Sequence, residues 1–229
     1  MSTSAIIERL KTEPRTRFVA FGSSNTERRI HGLHWFDWLE LGIAQTYGRV
    51  HTFINTGIGG DTTRGLLARF DEDVARYAPH VVFVTIGGND SKPDSEIDEA
   101  AFTGNLYALA ERIRMTGATP IFQTYYSVDV PGLGAEHGAR FHVFMAAMRR
   151  VAEDTRAPLV DHLRRWERLR AGHIELYREL MQDPLHVNPL GNMVMGLDLI
   201  RAFGAQLTEE QQLYCNRGLL FQRILDALA

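Results

Sequence analysis

Three short apolar runs stop abruptly at clusters of turn-forming residues, and this recurrence restricts the fold more than any other feature. Residues 18–21 run into Gly22-Ser23-Ser24-Asn25-Thr26. Residues 52–56 lead into Gly57-Ile58-Gly59-Gly60-Asp61-Thr62-Thr63, and residues 81–86 into Gly87-Gly88-Asn89-Asp90. Apolar runs of this length bounded by such residues read as strands buried on both faces. Helical patterns lie between them. Residues 35–44 carry apolar spacings of three and four, and a second helix runs from a cap at Thr62 or Thr63 to Tyr77 with Leu66, Leu67, Phe70 and Val74 inward. A third covers residues 97–115 and stops at Gly117. A fourth strand at 120–125, a helix at 141–155, a short fifth strand at 158–161 and a charged helix toward Leu180 complete the alternation. Strand–helix alternation implies a parallel sheet with right-handed crossovers. The expectation is an α/β fold: a three-layer α/β/α sandwich around a doubly wound, parallel, five-stranded sheet.

The 229 residues suit one domain, expected to span 1–229. The net charge of −3 and the absence of any Lys/Arg run longer than two argue against a nucleic-acid or anionic-membrane partner. Residues 1–9 lack a long apolar core, and no apolar run approaches the ~20 residues of a membrane span. A single cysteine, Cys215, excludes an intrachain disulfide framework. A cytoplasmic protein is expected.

Ligands of open α/β folds bind at the carboxyl ends of the strands, where Ser23 and Ser24 stand. Taken alone, either serine could simply cap the next helix. Far downstream comes Asp183-Pro184-Leu185-His186-Val187-Asn188-Pro189-Leu190-Gly191. A strand-end serine, glycine and asparagine followed by this Asp-x-x-His resemble the SGNH hydrolases, also called the GDSL esterase/lipase superfamily. The resemblance covers residues 17–203 in four blocks in the family order and implies the flavodoxin-like fold of that superfamily. It implies that Ser24 is the nucleophile and that Asp183 and His186 complete a triad. The oxyanion hole would be formed by the backbone N–H groups of Ser24 and Gly60 and the Asn89 amide. Two positions depart from the family pattern. Ser23 replaces the usual aspartate before the nucleophile, which is thought to support the loop, and Val187 stands where proline is common.

The chemistry of these residues agrees with the resemblance. A serine hydroxyl needs a base, histidine is the usual one near neutral pH, and a carboxylate fixes its tautomer. Asp183 and His186, three apart, can project to one side of a turn. A glycine lets its backbone N–H approach a ligand closely, and the Asn89 amide carries two donor hydrogens. The expected function is a serine esterase that removes a short acyl group, acetyl above all, from a small or carbohydrate alcohol, without cofactor or metal. The alternatives are a lysophospholipase or thioesterase acting on longer chains, and a non-catalytic ester- or glycan-binding relative.

Several other residues carry two readings each. His31 and His34 have the spacing of a metal pair but lack further ligands, and either could line the pocket. Asp90 could compete with Asp183 as the triad acid, or orient its own loop. Asp61 with Thr62 reads as helix capping, and Met181, Met193 and Met195 as core filler. Gly87-Gly88 lacks the order of a dinucleotide fingerprint. Residues 127–138 form an irregular segment that either shapes substrate access or is a plain connection, and Trp35, Tyr125 and Tyr126 are candidate aromatic walls. The C-terminal helical extension, 206–229, carries a stripe of Leu213, Leu220, Ile224 and Leu228, widened by Leu219, Phe221 and Leu225. It must be covered either by its own domain or by a second copy in a homo-oligomer. The homo-oligomer is the expectation.

Overall fold

Residues 3–229 are described by the structure, a computed structural model. The elements follow in the order α1 (Thr3–Thr12), β1 (Arg17–Gly22), α2 (Trp35–Tyr47), β2 (Thr52–Asn55), α3 (Thr63–Ala68) and α4 (Phe70–Asp73). Then come β3 (Val81–Thr85), α5 (Glu99–Met115), β4 (Thr119–Gln123), α6 (Val130–Leu133) and α7 (Ala135–Asp154). The chain ends with β5 (Leu159–Val160), α8 (His162–Gly172), α9 (Ile174–Arg178), α10 (Pro189–Ala202), α11 (Glu209–Tyr214) and α12 (Asn216–Ala227). The five strands are all parallel, in the order β2-β1-β3-β4-β5.

Side chains alternate across each strand, so β1 feeds two separate cores. Phe18 and Ala20 join Trp35, Leu39 and Ile43 of α2, Trp166 of α8 and Leu199 of α10. Val19 and Phe21 join Leu66 of α3, Leu106 and Ile113 of α5, and Phe144 and Met148 of α7. Helices therefore cover both faces, and the doubly wound three-layer sandwich expected from the alternation is what forms.

The boundaries differ in four places. The helix expected over 62–77 breaks at Arg69, whose backbone leaves helical geometry (φ −102°) while its guanidinium turns toward Asp61, Thr56 and Gly22. The charged helix after β5 breaks at His173, where φ is −145°. The segment 127–138 is less irregular than expected, because it contains α6 and the first turn of α7. The C-terminal helix breaks at Cys215, where φ is −98°.

Cys215, Gly218, Phe221 and Leu225 face inward on α10, where Gln222 Nε2 donates to Val194 O at 2.8 Å. The extension thus packs on its own domain. Leu219, Ile224 and Leu228 of the expected stripe pack against the same core, whereas its Leu213 and Leu220 point outward, as does Tyr214. A homo-oligomer through this segment would have to use the outward-pointing three. No helix among the described residues is long and apolar enough to cross a membrane.

Helices α2 and α10 approach closely because each presents a glycine. A Cβ on Gly196 would lie 2.3 Å from Trp38 Cβ and 3.0 Å from Trp35 O. Gly104, on the exposed side of α5, has no atom within 4 Å of its Cβ position. Two alanine substitutions should therefore have opposite signs. Gly196→Ala is expected to lower the unfolding free energy by about 1–3 kcal/mol through overpacking. Gly104→Ala should raise it by about 0.5–1 kcal/mol, through helix propensity and reduced chain entropy. Urea titrations followed by circular dichroism measure both.

Candidate active site

The loop after β1 turns sharply because nothing but glycine fits at its entry. A Cβ on Gly22 would lie 2.4 Å from both Thr85 O on β3 and Thr26 Oγ1. Past it, the backbone N–H groups of Thr26 and Glu27 both donate to Ser23 O at 2.9 Å. This tight turn leaves Ser23 buried and Ser24 half-exposed. Ser24 Oγ stands 2.8 Å from His186 Nε2, although 162 residues separate the two.

His186 is held from its other side by a turn built on Asp183. The Asp183 Oδ1 atom accepts the backbone N–H groups of Leu185 (2.9 Å) and His186 (2.8 Å). Its carboxylate also takes His186 Nδ1–H, at 2.8 Å to Oδ2. Gln182 N–H closes the loop onto His186 O at 2.8 Å. Partial burial alone would raise the Asp183 carboxyl. The two backbone donors and the imidazole outweigh it and hold the group below the usual carboxylate range. Asp183 therefore stays ionised across neutral and mildly acidic pH.

Gly60 and Asn89 follow β2 and β3, the two neighbours of β1. Gly60 adopts φ +81°, a left-handed conformation that costs glycine little. The Asn89 amide donates one hydrogen to Asp61 O at 2.9 Å, which ties its loop to the Gly60 loop and leaves the second hydrogen for another acceptor. The five expected residues thus divide into one directly hydrogen-bonded series, Ser24–His186–Asp183, and two donor loops joined to each other.

Other expectations are corrected. Asp90 does not reach His186; its Oδ1 accepts the Thr63 N–H at 2.8 Å and the Thr63 hydroxyl at 2.6 Å. Trp35, Tyr125 and Tyr126 are at most 1% exposed, so they are core residues rather than pocket walls. His34 is buried at the start of α2, where its backbone N–H donates to Asp37 Oδ2 at 2.9 Å, while His31 is exposed. Among the described residues, no group of three His, Cys, Asp or Glu side chains is arranged to hold a metal. Asp61 does more than cap: besides the Thr62 N–H, its carboxylate takes Arg69 Nε at 2.7 Å. The Arg69 guanidinium also donates to Thr56 O (2.7 Å) and Gly22 O (3.0 Å), and so joins the ends of β1 and β2. Arg69 was not singled out in the sequence. The available signal was a charged residue beside Phe70, on the inward side of a helix.

Residues 20–194 match the model of the GDSL-like Lipase/Acylhydrolase family. The chain belongs to that family. Among curated proteins it is 30% identical over 141 residues to the uncharacterized lipoprotein YqeF of Bacillus subtilis; the match takes in 56% of this chain and 56% of that protein, so the chain spans little more than half its relative's length. LAE5, an alpha/beta hydrolase enzyme from the metagenome of Lake Arreo, superposes with a TM-score of 0.71 at 26% identity, covering 82% of this chain and 95% of LAE5. Axe2, an acetylxylan esterase from Geobacillus stearothermophilus, gives 0.73 at 19% identity, covering 85% of this chain and 97% of Axe2, and is a likeness of fold.

Asp90 offers a test of the local electrostatics. Burial pushes its carboxyl above the usual range against the two Thr63 hydrogen bonds, and its Oδ2 is buried with no partner among the described residues. An acid whose folded pKa is raised costs stability once pH exceeds its unfolded value, about 3.9. Asp90→Asn keeps the Oδ1 acceptor and removes the charge. Thermal melts should show the variant gaining on the parent as pH rises from about 4 to 7. A gap that moves the other way contradicts this account.

Proposed function

We propose that the protein is a serine esterase that hydrolyses short acyl esters, acetyl above all, of small or carbohydrate alcohols. The observation that carries the reading is the continuous hydrogen-bonded series Ser24 Oγ, His186 Nε2, His186 Nδ1 and Asp183 at the carboxyl edge of the sheet. Ser24 Oγ attacks the ester carbonyl as its proton passes to His186 Nε2, and Asp183 stabilises the resulting imidazolium. The negative oxygen of the tetrahedral intermediate is received by the Ser24 and Gly60 N–H groups and the free hydrogen of the Asn89 amide. Collapse expels the alcohol with the proton from His186 and leaves an acyl group on Ser24. Water then attacks this acyl group, loses a proton to His186, and releases the acid.

Three features support this reading. Trp35, Tyr125 and Tyr126 are spent in the core, so they build no apolar trough for a long chain. Ser23 finds a partner in the Tyr125 hydroxyl at 2.9 Å, so the nucleophile loop has support without the family aspartate, which favours an active enzyme over a binding-only relative. The fold is also shared with a protein described as an acetylxylan esterase. Longer acyl chains are the second reading, favoured by Ile58, an apolar side chain 48% exposed on the Gly60 loop.

Ser24→Ala should lower kcat on p-nitrophenyl acetate by about 10³–10⁶-fold with the fold intact. Ser23→Ala should remain active; the opposite pattern would move the nucleophile by one residue. Rates along a p-nitrophenyl ester series should fall from acetate to octanoate, and acetylated sugars should be turned over. A maximum at the longer chains would favour the second reading.

A further inference from the structure

Tyr125 and Tyr126 lie just past the end of β4, after Thr124, with rings 6.0 Å apart and essentially no exposure. The Tyr126 hydroxyl accepts the Val187 N–H at 3.0 Å. Its own hydrogen faces Leu185 O at 2.6 Å and Asn25 Oδ1. Leu185 and Val187 flank His186, and Asn25 follows Ser24. A single buried phenol therefore touches both neighbours of the histidine and the neighbour of the serine. Asn25 is itself fixed, because its carbonyl accepts Trp35 Nε1–H at 2.9 Å. Burial holds the Tyr126 phenol far above its ordinary pKa, so it remains a neutral donor throughout the working range.

The two departures from the family pattern fall on these tyrosines. Val187 supplies an N–H where proline would supply none, and that N–H is what Tyr126 accepts. Ser23 replaces the aspartate and bonds to Tyr125. We propose that Tyr126 is a positioning residue that sets His186 against Ser24, clamping the Asp-x-x-His loop to the nucleophile loop through one hydroxyl. The proposal rests on the Ser24–His186 reading above. Its physical basis is that the two loops come from distant parts of the chain, and the Ser24–His186 bond cannot define its own geometry. A displacement of about 1 Å between reacting groups can cost on the order of 10²-fold in rate.

The test measures p-nitrophenyl acetate hydrolysis by the parent, Ser24→Ala, His186→Ala, Tyr126→Phe, Val187→Pro and the double variant His186→Ala/Tyr126→Phe, with folding checked by circular dichroism. Tyr126→Phe should lower kcat about 10–100-fold with KM within about twofold, since the lost group acts on geometry rather than on substrate binding. In the His186→Ala background the same substitution should change the residual rate less than about twofold, because a group acting through His186 has nothing left to position. Val187→Pro removes the donor from the other side and should reproduce the loss in kcat, and it decides the matter if Tyr126→Phe does not fold. Parental kcat in Tyr126→Phe, or an equal fractional loss with and without His186, overturns the proposal. Full turnover by Ser24→Ala would instead overturn the reading beneath it.

Discussion

A parallel sheet delivers the loop after every strand to the same edge, and the candidate site depends on that constraint. The strand order places β1 between β2 and β3, with Gly22 opposite Thr85 and Ala20 opposite both Asn55 and Phe83. The Ser24 loop is therefore flanked by the Gly60 loop on one side and the Asn89 loop on the other. Sheet hydrogen bonding sets the height at which each leaves. Arg69 and the Asn89–Asp61 contact then tie those exits together, so three loops share one frame.

The acid–base loop has no strand of its own and is brought to the frame by helices. Asn188 caps α10, accepting the N–H groups of Leu190 and Gly191, which joins the Asp183–His186 turn to that helix. Asn192 of α10 accepts the Trp35 N–H at the start of α2, and Trp35 Nε1 reaches back to Asn25 O beside the nucleophile. The close α2–α10 packing is thus part of the path from His186 to Ser24. A glycine deep in the helical layer and the hydrogen bond at the sheet edge belong to one mechanical unit.

The alternation of strand and helix could be read from local pattern alone, because it depends on residues near one another in the chain, whereas the roles of the four chemical blocks came from the family resemblance of the whole set. Ser24, Asp183 and His186 occupy the positions the pattern implied, and they meet as the chemistry requires. The helix interruptions at Arg69, His173 and Cys215 were not legible from apolar spacing, and at Arg69 a tertiary demand overrides helix propensity. Arg69 leaves the helix to satisfy carbonyls on two strands. Tyr125 and Tyr126 were misread as pocket walls because side-chain alternation stops where β4 ends, and nothing local says which way the next ring points. The C-terminal stripe was legible in large part: Phe221 and Leu225 are buried, Leu219, Ile224 and Leu228 pack against the same core, and Leu213 and Leu220 alone of the seven point outward.

The central claim is that Ser24 carries the acyl group between two half-reactions. The direct measurement is rapid acid quenching during turnover of p-nitrophenyl acetate, followed by intact-mass and peptide mapping. A single acetyl adduct on the peptide containing Ser24, formed in a burst and absent from Ser24→Ala, is the result expected. Turnover accompanied by an adduct on another residue, or by an adduct that persists in Ser24→Ala, would contradict the account.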